Sequence, residues 1–344
     1  MVARAERSPE ARDFTWRDGE RTIVFGEGAF ADAPDRLRQG AWERFELLTT
    51  PRALGAASRE LAECASSVHQ VPGGPVPEAA SAIYADVLNP TLVALGGGRV
   101  IDVAKAIAAT RGGRVCAMPT TLSGAEMTAI HRFPAGHERE ARRRVRPALV
   151  IADPMEMTSL DESRLRASAM NAVAHGAEAL YTPLANPVGS MATLRGARLI
   201  ARALDQAPAK RVRGRLALGS ILCAYALDSA GYALHHVVCQ TLVRILGTPH
   251  AETNATMLPR TMEAMRGRAP AAIAALAAAV GAKPDGIGER LEELGGGPRT
   301  LGDLGADQSD VTPVLDAILA RAELANTPDP PGRDDLRKLL LSAW

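Results

Sequence analysis

The chain reads as two joined halves, an α/β half built on a parallel sheet and then an all-helical half. Two observations predict this: short apolar runs alternate with helix-length stretches up to about residue 156, and helical periodicity takes over from about Ser159. No internal repeat is visible. RTIVFGEG, FELLTTP and TLVALGGG are strand-like runs rich in apolar or β-branched residues, each closed by a turn signal, and RVCAMPTT and PALVIADP follow in the same style. Helix-length stretches such as ALGAASRELAECASSVH (53–69) and VIDVAKAIAATRG lie between them, an alternation that indicates βαβ units. SRLRASAMNAVAHGAEALY, PVGSMATLRGARLIARALDQ, the long run 213–246 and PAAIAALAAAVG carry Ala-rich helical faces, punctuated by Gly247, Pro249 and Pro259. The expected domains are 1–156 and 157–344, joined near DPMEMTSL. AELANTPDPPGRDD reads as a Pro-rich surface loop before a last short helix.

Composition narrows the functional classes. At 344 residues the chain can bury a large core, and a net charge of +1 argues for neither a nucleic-acid nor a membrane-surface partner. MVARAERSPEARDFTW has no apolar core of a signal peptide, and no run approaches the ~18 apolar residues of a spanning helix. Cys64, Cys116, Cys223 and Cys239 are scattered without a CxxC pair, so free thiols in a reducing cytoplasm are expected. The expected partner is a small molecule.

Two segments carry a cofactor signal. In TLVALGGGRVIDVAKAIA a buried strand enters three glycines and then a helix, so backbone N–H groups and the helix dipole can approach a pyrophosphate. It is not GxGxxG, and a tight turn would explain it equally well alone. AMPTTLSGAEMT adds a second strand end with hydroxyl-bearing residues, and two such loops in successive βα units fit a nucleotide across the strand ends.

A third pattern is a spaced set of Asn171, His175, His236 and His250. Asn171 and His175 are four apart and share a helix face, and His250 returns from a new segment after the break at Gly247 and Pro249. Three of only seven histidines fall here, and imidazoles suit zinc or ferrous iron. Asn171 contributes a dipole where a carboxylate would offset charge, so any metal should bind weakly. His235 points elsewhere on the helix and reads as structural, with a substrate contact as the alternative; His69 and His131 carry no assigned role. The basic run REARRRVRP (139–147) reads as a solvated loop, or else as a binder of an anionic substrate or a 2′-phosphate.

These residues resemble the group III iron-containing alcohol dehydrogenase family, and within it the maleylacetate reductase branch. GGGRVIDVAKAIA is similar to GGGSxxDxAKAIA, PTTLSGAEMT to the branch's PTTxxGSEMT, AMNAVAHGAEALY to GMDAxxHAxEAY, and ALHHVVCQTL with TPHAETNATMLP to ALHHxxCHTL…PHAxxxxxxLP. The tail NTPDPPGRDDLRKLLLSAW fits too, so the resemblance spans essentially the whole chain. It implies a dehydroquinate synthase-like fold, with an N-terminal nucleotide-binding α/β domain, a C-terminal helical domain and an active site in the cleft between them. It also implies that Gly96, Gly97, Gly98 and Arg99 bind the pyrophosphate, that Thr120 and Thr121 lie near the adenosine half, and that Asp102 and Lys105 anchor the loop and helix. Asn171, His175, His236 and His250 would occupy the metal positions, with metal weak or absent, and Asn171 is itself a trait of the reductase branch.

The implied reaction is reduction of the C=C bond of a 2-ene-4-oxo dicarboxylate by NADH or NADPH, with zinc or iron present or not required. His175, His236, His250 and the position held by Gln240 carry the catalysis. A cytoplasmic homodimer is expected. The chain departs from the pattern at Arg99 (a serine in the family), at Gln240 (a histidine), at Val243 and Arg244, and at His137, where a lysine stands. The strand end Thr49-Thr50-Pro51-Arg52 offers Thr50 to the cofactor, lacks an acid for the ribose 2′-hydroxyl and places Arg52 for a 2′-phosphate. Two other readings follow from these departures: a repurposed superfamily member running a lyase or cyclisation reaction on bound nucleotide, and a non-catalytic ligand-binding homologue.

Overall fold

In the computed structural model of the chain, residues 21–55, 59–140 and 143–344 are described, and they form two compact units. One takes the described part of Gly19–Asp161 with Val212–Leu218; the other takes Glu162–Arg211 and Gly219–Trp344. The opening segment MVARAERSPEARDFTW and the Ala141–Arg142 pair of the basic run lie outside the described residues.

The first unit runs β1 (Thr22–Phe25), α1 (Ala33–Gln39), β2 (Glu46–Thr49), α2 (Pro51–Leu54), α3 (Arg59–Cys64), β3 (Ser67–Gln70), α4 (Val76–Tyr84), β4 (Thr91–Gly96), α5 (Gly98–Arg111), β5 (Arg114–Pro119), β6 (Leu149–Ala152) and α6 (Pro154–Met157). All strand pairs are parallel, in the order β1-β6-β5-β4-β2-β3. The central strands are apolar because helices cover both faces. Alternation sends Leu92, Ala94, Val115 and Ala117 into a core with α5, and sends Val93, Leu95, Cys116 and Met118 into a second core with α1 and α3. The strand order reverses between β2 and β4, which places the crevice at their carboxyl ends.

One expectation needs correction here. The stretch 53–69 is not one helix: α2 and α3 are short, and the stretch ends in the edge strand β3. An Ala-rich sequence hid the boundary, and β3 is held on its polar side, where His69 Nε2 pairs with Glu46 Oε2 of β2 at 2.8 Å.

The second unit contains α7 (Glu162–Ala179), α8 (Pro187–Leu204), α9 (Arg213–Ala230) from Gly219 onward, α10 (Leu234–Leu246), α11 (His250–Met265), α12 (Pro270–Val280), α13 (Ile287–Gly295), α14 (Val311–Leu319) and α15 (Arg333–Leu341). Small residues let α7, α8 and α9 approach closely. A Cβ on Gly196 would lie 2.7 Å from the Gly219 carbonyl oxygen, and one on Gly176 would lie 3.0 Å from a Thr193 methyl and 3.1 Å from Cys223 Sγ. The run 213–246, read as continuously helical, is broken: Gly231 at φ +74° turns the chain, and α9 and α10 meet at 100°. Pro259 lies inside α11 rather than ending it. All four cysteines are free, three of them buried. Among the described residues no single helix is long and apolar enough to cross a membrane.

Candidate active site

In the sheet unit, β4 and β5 end side by side with Gly96 opposite Pro119, so the turns that follow them must meet. Thr120 N donates to Gly96 O at 3.0 Å. Gly97 is the N-cap of α5 and Gly98 its first residue. A Cβ on Gly97 would come within 3.2 Å of Thr121 Cγ2, and one on Gly98 within 2.9 Å of Ser123 Cβ. A Cβ on Gly96 would strike Val100 at 2.6 Å. Gly98 is therefore needed for the two loops to close and Gly96 for the turn into α5, with Gly97 in tight contact, quite apart from any ligand. The result is a bare backbone cradle at a helix N-terminus, the arrangement that holds phosphate.

Asp102 and Lys105 tie this cradle together from behind. Lys105 is fully buried, its Nζ 2.8 Å from Asp102 Oδ1 and 2.9 Å from the Ala125 carbonyl oxygen. Arg99 is exposed on the first turn of α5. The Thr50 hydroxyl accepts from Ala53 N at 3.3 Å and so caps α2, while exposed Arg52 reaches Ser159 Oγ at 3.5 Å. Burial without a hydrogen-bond partner among the described residues pushes the Glu126 carboxyl up to about 7. His131 is a spacer: Nδ1 bonds Arg132 O at 2.8 Å, Nε2 accepts from Val145 N at 3.0 Å, and burial lowers it to about 4. Part of the basic run is tied down rather than buried, with exposed Arg144 donating to His131 O at 2.6 Å, and His137 stacks on Tyr84 at 3.9 Å.

In the helical unit, Asn171 and His175 stand on α7 and His236 on the first turn of α10, all buried. The His175 and His236 rings stack at 5.0 Å and 20°. Glu178, one turn after His175, organises them. Its Oε1 accepts from His235 N at 2.7 Å and its Oε2 from His236 N at 3.3 Å, so it caps α10, whose own N-cap Ala233 has no side chain to do so. Oε2 also pairs with His236 Nδ1. A carboxylate on Nδ1 fixes that proton and leaves Nε2 as a lone pair.

Burial and the neighbouring histidines lower His175 well below its ordinary range, and burial lowers His236 to about 3. Burial raises the Glu178 carboxyl to about 7 against the pull of His235 and the backbone donors. Asn171 Oδ1, His175 Nδ1 and His236 Nε2 have no hydrogen-bond partner among the described residues. Near neutrality this face therefore offers lone pairs and no imidazolium proton.

His250 and Gln240 do not join that buried face in the same way. His250 is exposed at the first position of α11, where its carbonyl oxygen accepts from Asn254 Nδ2 at 2.7 Å. Gln240, one turn after His236, accepts from Arg321 Nη2 at 3.1 Å. His235 is structural: its ring nitrogens lie 2.9 Å from Thr261 Oγ1 and 2.9 Å from Asn254 Oδ1. Among the described residues no three His, Cys, Asp or Glu side chains gather closely enough to hold a metal ion. Two imidazoles and the Asn171 amide oxygen, with their unpartnered lone pairs, do suit a divalent cation as neutral donors.

Sequence reading missed Glu178, Tyr232 and Arg321. Glu178 was discoverable, since it follows Asn171 by seven and His175 by three on one face. Arg321 lies 81 residues beyond Gln240, and no local pattern announces it.

A glycine cradle on a doubly wound sheet, with a buried imidazole pair in a helical unit, defines the class: a two-unit oxidoreductase. Residues 20–154 match the iron-containing alcohol dehydrogenase family, and residues 166–344 match the C-terminal part of the Fe-containing alcohol dehydrogenase family. Maleylacetate reductase 1 of Rhodococcus opacus is 32% identical over 99% of this chain and 98% of that protein. Maleylacetate reductase 2 of Cupriavidus pinatubonensis is 33% identical over 94% of each. The crystal structure of a maleylacetate reductase from Agrobacterium tumefaciens is 31% identical and superposes with a TM-score of 0.83, covering 97% of this chain and 98% of that one. The chain belongs to the iron-containing alcohol dehydrogenase family, and its fold and oxidoreductase class follow from that membership.

Proposed function

We propose that this enzyme is a maleylacetate-type reductase that saturates the C=C bond of a small 2-ene-4-oxo dicarboxylate using NADH or NADPH. The observation that carries the reading is the buried Asn171–His175–His236 face ordered by Glu178, in a chain that matches maleylacetate reductases end to end. Gly96, Gly97, Gly98 and the N-terminus of α5 hold the pyrophosphate, Thr120 and Thr121 flank it, and Lys105 with Asp102 keeps the cradle closed. Bound nicotinamide nucleotide supplies the hydride, and a divalent ion such as iron or zinc, when bound, supplies a Lewis acid for the substrate's oxo group. His175, His236 and Asn171 would hold that ion, with exposed His250 nearby. Glu178 keeps Nε2 of His236 aimed as a lone pair, and burial keeps water off the reacting centre. Gln240 cannot titrate, so the proton that completes the reduction does not come from that side chain. Arg52, with no acid at the end of β2, favours acceptance of a 2′-phosphate. We further propose a homodimer, which the exposed apolar Ile23 and Phe25 on edge strand β1 support. Nothing in the site favours the lyase or non-catalytic reading.

The test is direct. Purified protein with maleylacetate should consume NADH or NADPH, followed by the near-ultraviolet absorbance of the reduced nicotinamide; inert mixtures with both nucleotides would sink the reading. Glu178→Gln should lower kcat by roughly 10- to 100-fold, because groups that orient a ligating histidine carry that much. Asn171→Asp should raise the metal content of the purified protein, measured by elemental analysis, since a carboxylate offsets charge where the amide does not.

A further inference from the structure

The guanidinium of Arg321, in the turn that follows α14, has donors to spare beside the histidine face, and no role above uses them. Nε donates to Glu323 Oε2 at 3.0 Å. Nη2 reaches Glu323 Oε1 at 3.2 Å, Gln240 Oε1 at 3.1 Å and the Tyr232 hydroxyl at 3.1 Å. The two N–H groups of Nη1 find no acceptor among the described residues. The side chain is only 14% exposed, yet Nη1 is not walled in without a partner, so it keeps contact with solvent and is open to a ligand. Gln240 is in the same position: its oxygen is committed to Arg321, which leaves its NH2 as the unspent end.

Position gives these donors a direction. Gln240 follows His236 by one turn of α10, and the Tyr232 ring that Arg321 touches lies 5.9 Å from the His236 ring. The assembly is held rigid from outside. Tyr232 donates to Glu323 Oε1 at 2.9 Å, Asn326 Nδ2 donates to the Tyr232 carbonyl at 3.0 Å, and hydrogen bonding to Arg321 holds the Glu323 carboxyl down to about 2. The histidine face thus offers lone pairs, and the adjoining Arg321–Gln240 edge offers only N–H donors. A ligand that suits both carries an electrophilic carbonyl at one end and an anionic oxygen pair at the other.

We propose that Arg321 Nη1 and Gln240 Nε2 form the carboxylate-recognition edge of this active site and select oxo acids over neutral ketones or aldehydes. The idea rests on the reductase reading above and adds which residues read the charge. Arginine suits the task because its planar fork matches a carboxylate while Glu323 fixes its other edge. Glutamine suits position 240 because it keeps a donor at every pH, whereas a histidine next to the guanidinium would be held neutral.

Steady-state kinetics on Arg321→Gln and Arg321→Lys test this, with maleylacetate and with its ester at the carboxylate remote from the double bond. Arg321→Gln should raise KM for the diacid roughly tenfold or more, change kcat by less than about threefold and leave the ester unaffected; Arg321→Lys should recover part of the loss. An equal change on diacid and ester, or none on the diacid, overturns the proposal. Should Arg321→Gln fail to fold by circular dichroism, Gln240→Leu leaves the Arg321–Glu323 pair intact and must give the same selective rise in KM; if it does not, the proposal falls. Succinate binding by calorimetry separates this idea from the reductase reading. Wild-type protein inert towards maleylacetate but binding succinate more tightly than Arg321→Gln defeats only the reaction, and equal succinate binding by the two defeats the carboxylate edge.

Discussion

The two candidate regions solve opposite problems. In the sheet unit the glycine cradle depends on missing side chains: a single Cβ at Gly96 or Gly98 would strike a neighbour below 3.0 Å. In the helical unit the site depends on side chains kept short of partners, with Asn171, His175 and His236 each burying an unbonded polar atom. The first is made by two loops that parallel pairing forces together. The second needs α7 and α10 held in place by Glu178, and the turn after α14 beside them. A cradle of backbone tolerates little volume but many chemistries, whereas a face of unpaired atoms tolerates volume better than a change of donor for acceptor.

The largest test of that contrast is Lys105→Met. In the sheet unit the only role of this buried ammonium is to hold Asp102, Ala125 and Thr128 together behind the cradle. Its removal leaves Asp102, 28% exposed, without its partner, and should cost about 3 kcal/mol of stability, the low end for breaking a buried pair. Thermal unfolding should show the loss, and nicotinamide affinity should fall with it while the stacked histidines are unaffected. A variant as stable as wild type would mean that the cradle is closed by the glycine contacts alone.

This asymmetry also explains what the sequence revealed. Strands β1, β2, β4, β5 and β6, the GGG turn and the PTT loop were legible because each is a local pattern: an apolar run, a glycine cluster, a βα alternation. Edge strand β3 was not, because its exposed Val68 and its His69 and Gln70 give no apolar run and its partner Glu46 is far back in the chain. Asn171 and His175 were legible from helical spacing. The elbow between α9 and α10 was not, since Gly231 is an ordinary glycine until its left-handed conformation is seen. Arg321 meets Gln240 only through tertiary packing. Local chemistry was readable; the partners that orient it were not.

Acid should separate the two units further. His175, His235 and His236 are all lowered in the helical unit, the last two to about 3, whereas the sheet unit has the single lowered His131, at about 4. Desolvation is the first cause in every case. A histidine whose folded pKa lies below its unfolded value of ~6.5 contributes stability above that value and loses it as pH falls towards the folded one. Glu126 and Glu178, both raised to about 7, act with the opposite sign between ~4.5 and 7, one in each unit, and cancel in the comparison. Each excess histidine then costs the helical unit up to ~1.4 kcal/mol per pH unit. Hydrogen exchange on chelator-treated protein at pH 7 and pH 5 should show protection falling in α7 and α10 well before β4 and β5. Parallel loss in both units would refute the asymmetry.

The smallest effect asks whether Thr50 belongs to the cradle at all. Its hydroxyl already caps a helix of four residues by accepting from Ala53 N. The cap uses one lone pair and fixes the direction of the hydroxyl, which keeps a second lone pair and its proton for a ribose only if that direction suits. Thr50→Ala should therefore cost about 1 kcal/mol of stability, the usual value of a lost N-cap, and change KM for NADH or NADPH by less than about twofold. Thr50→Ser, which keeps the oxygen, should restore the melting temperature. If KM rises tenfold while stability holds, the hydroxyl serves the nucleotide, and the cradle extends by a side chain to the end of β2.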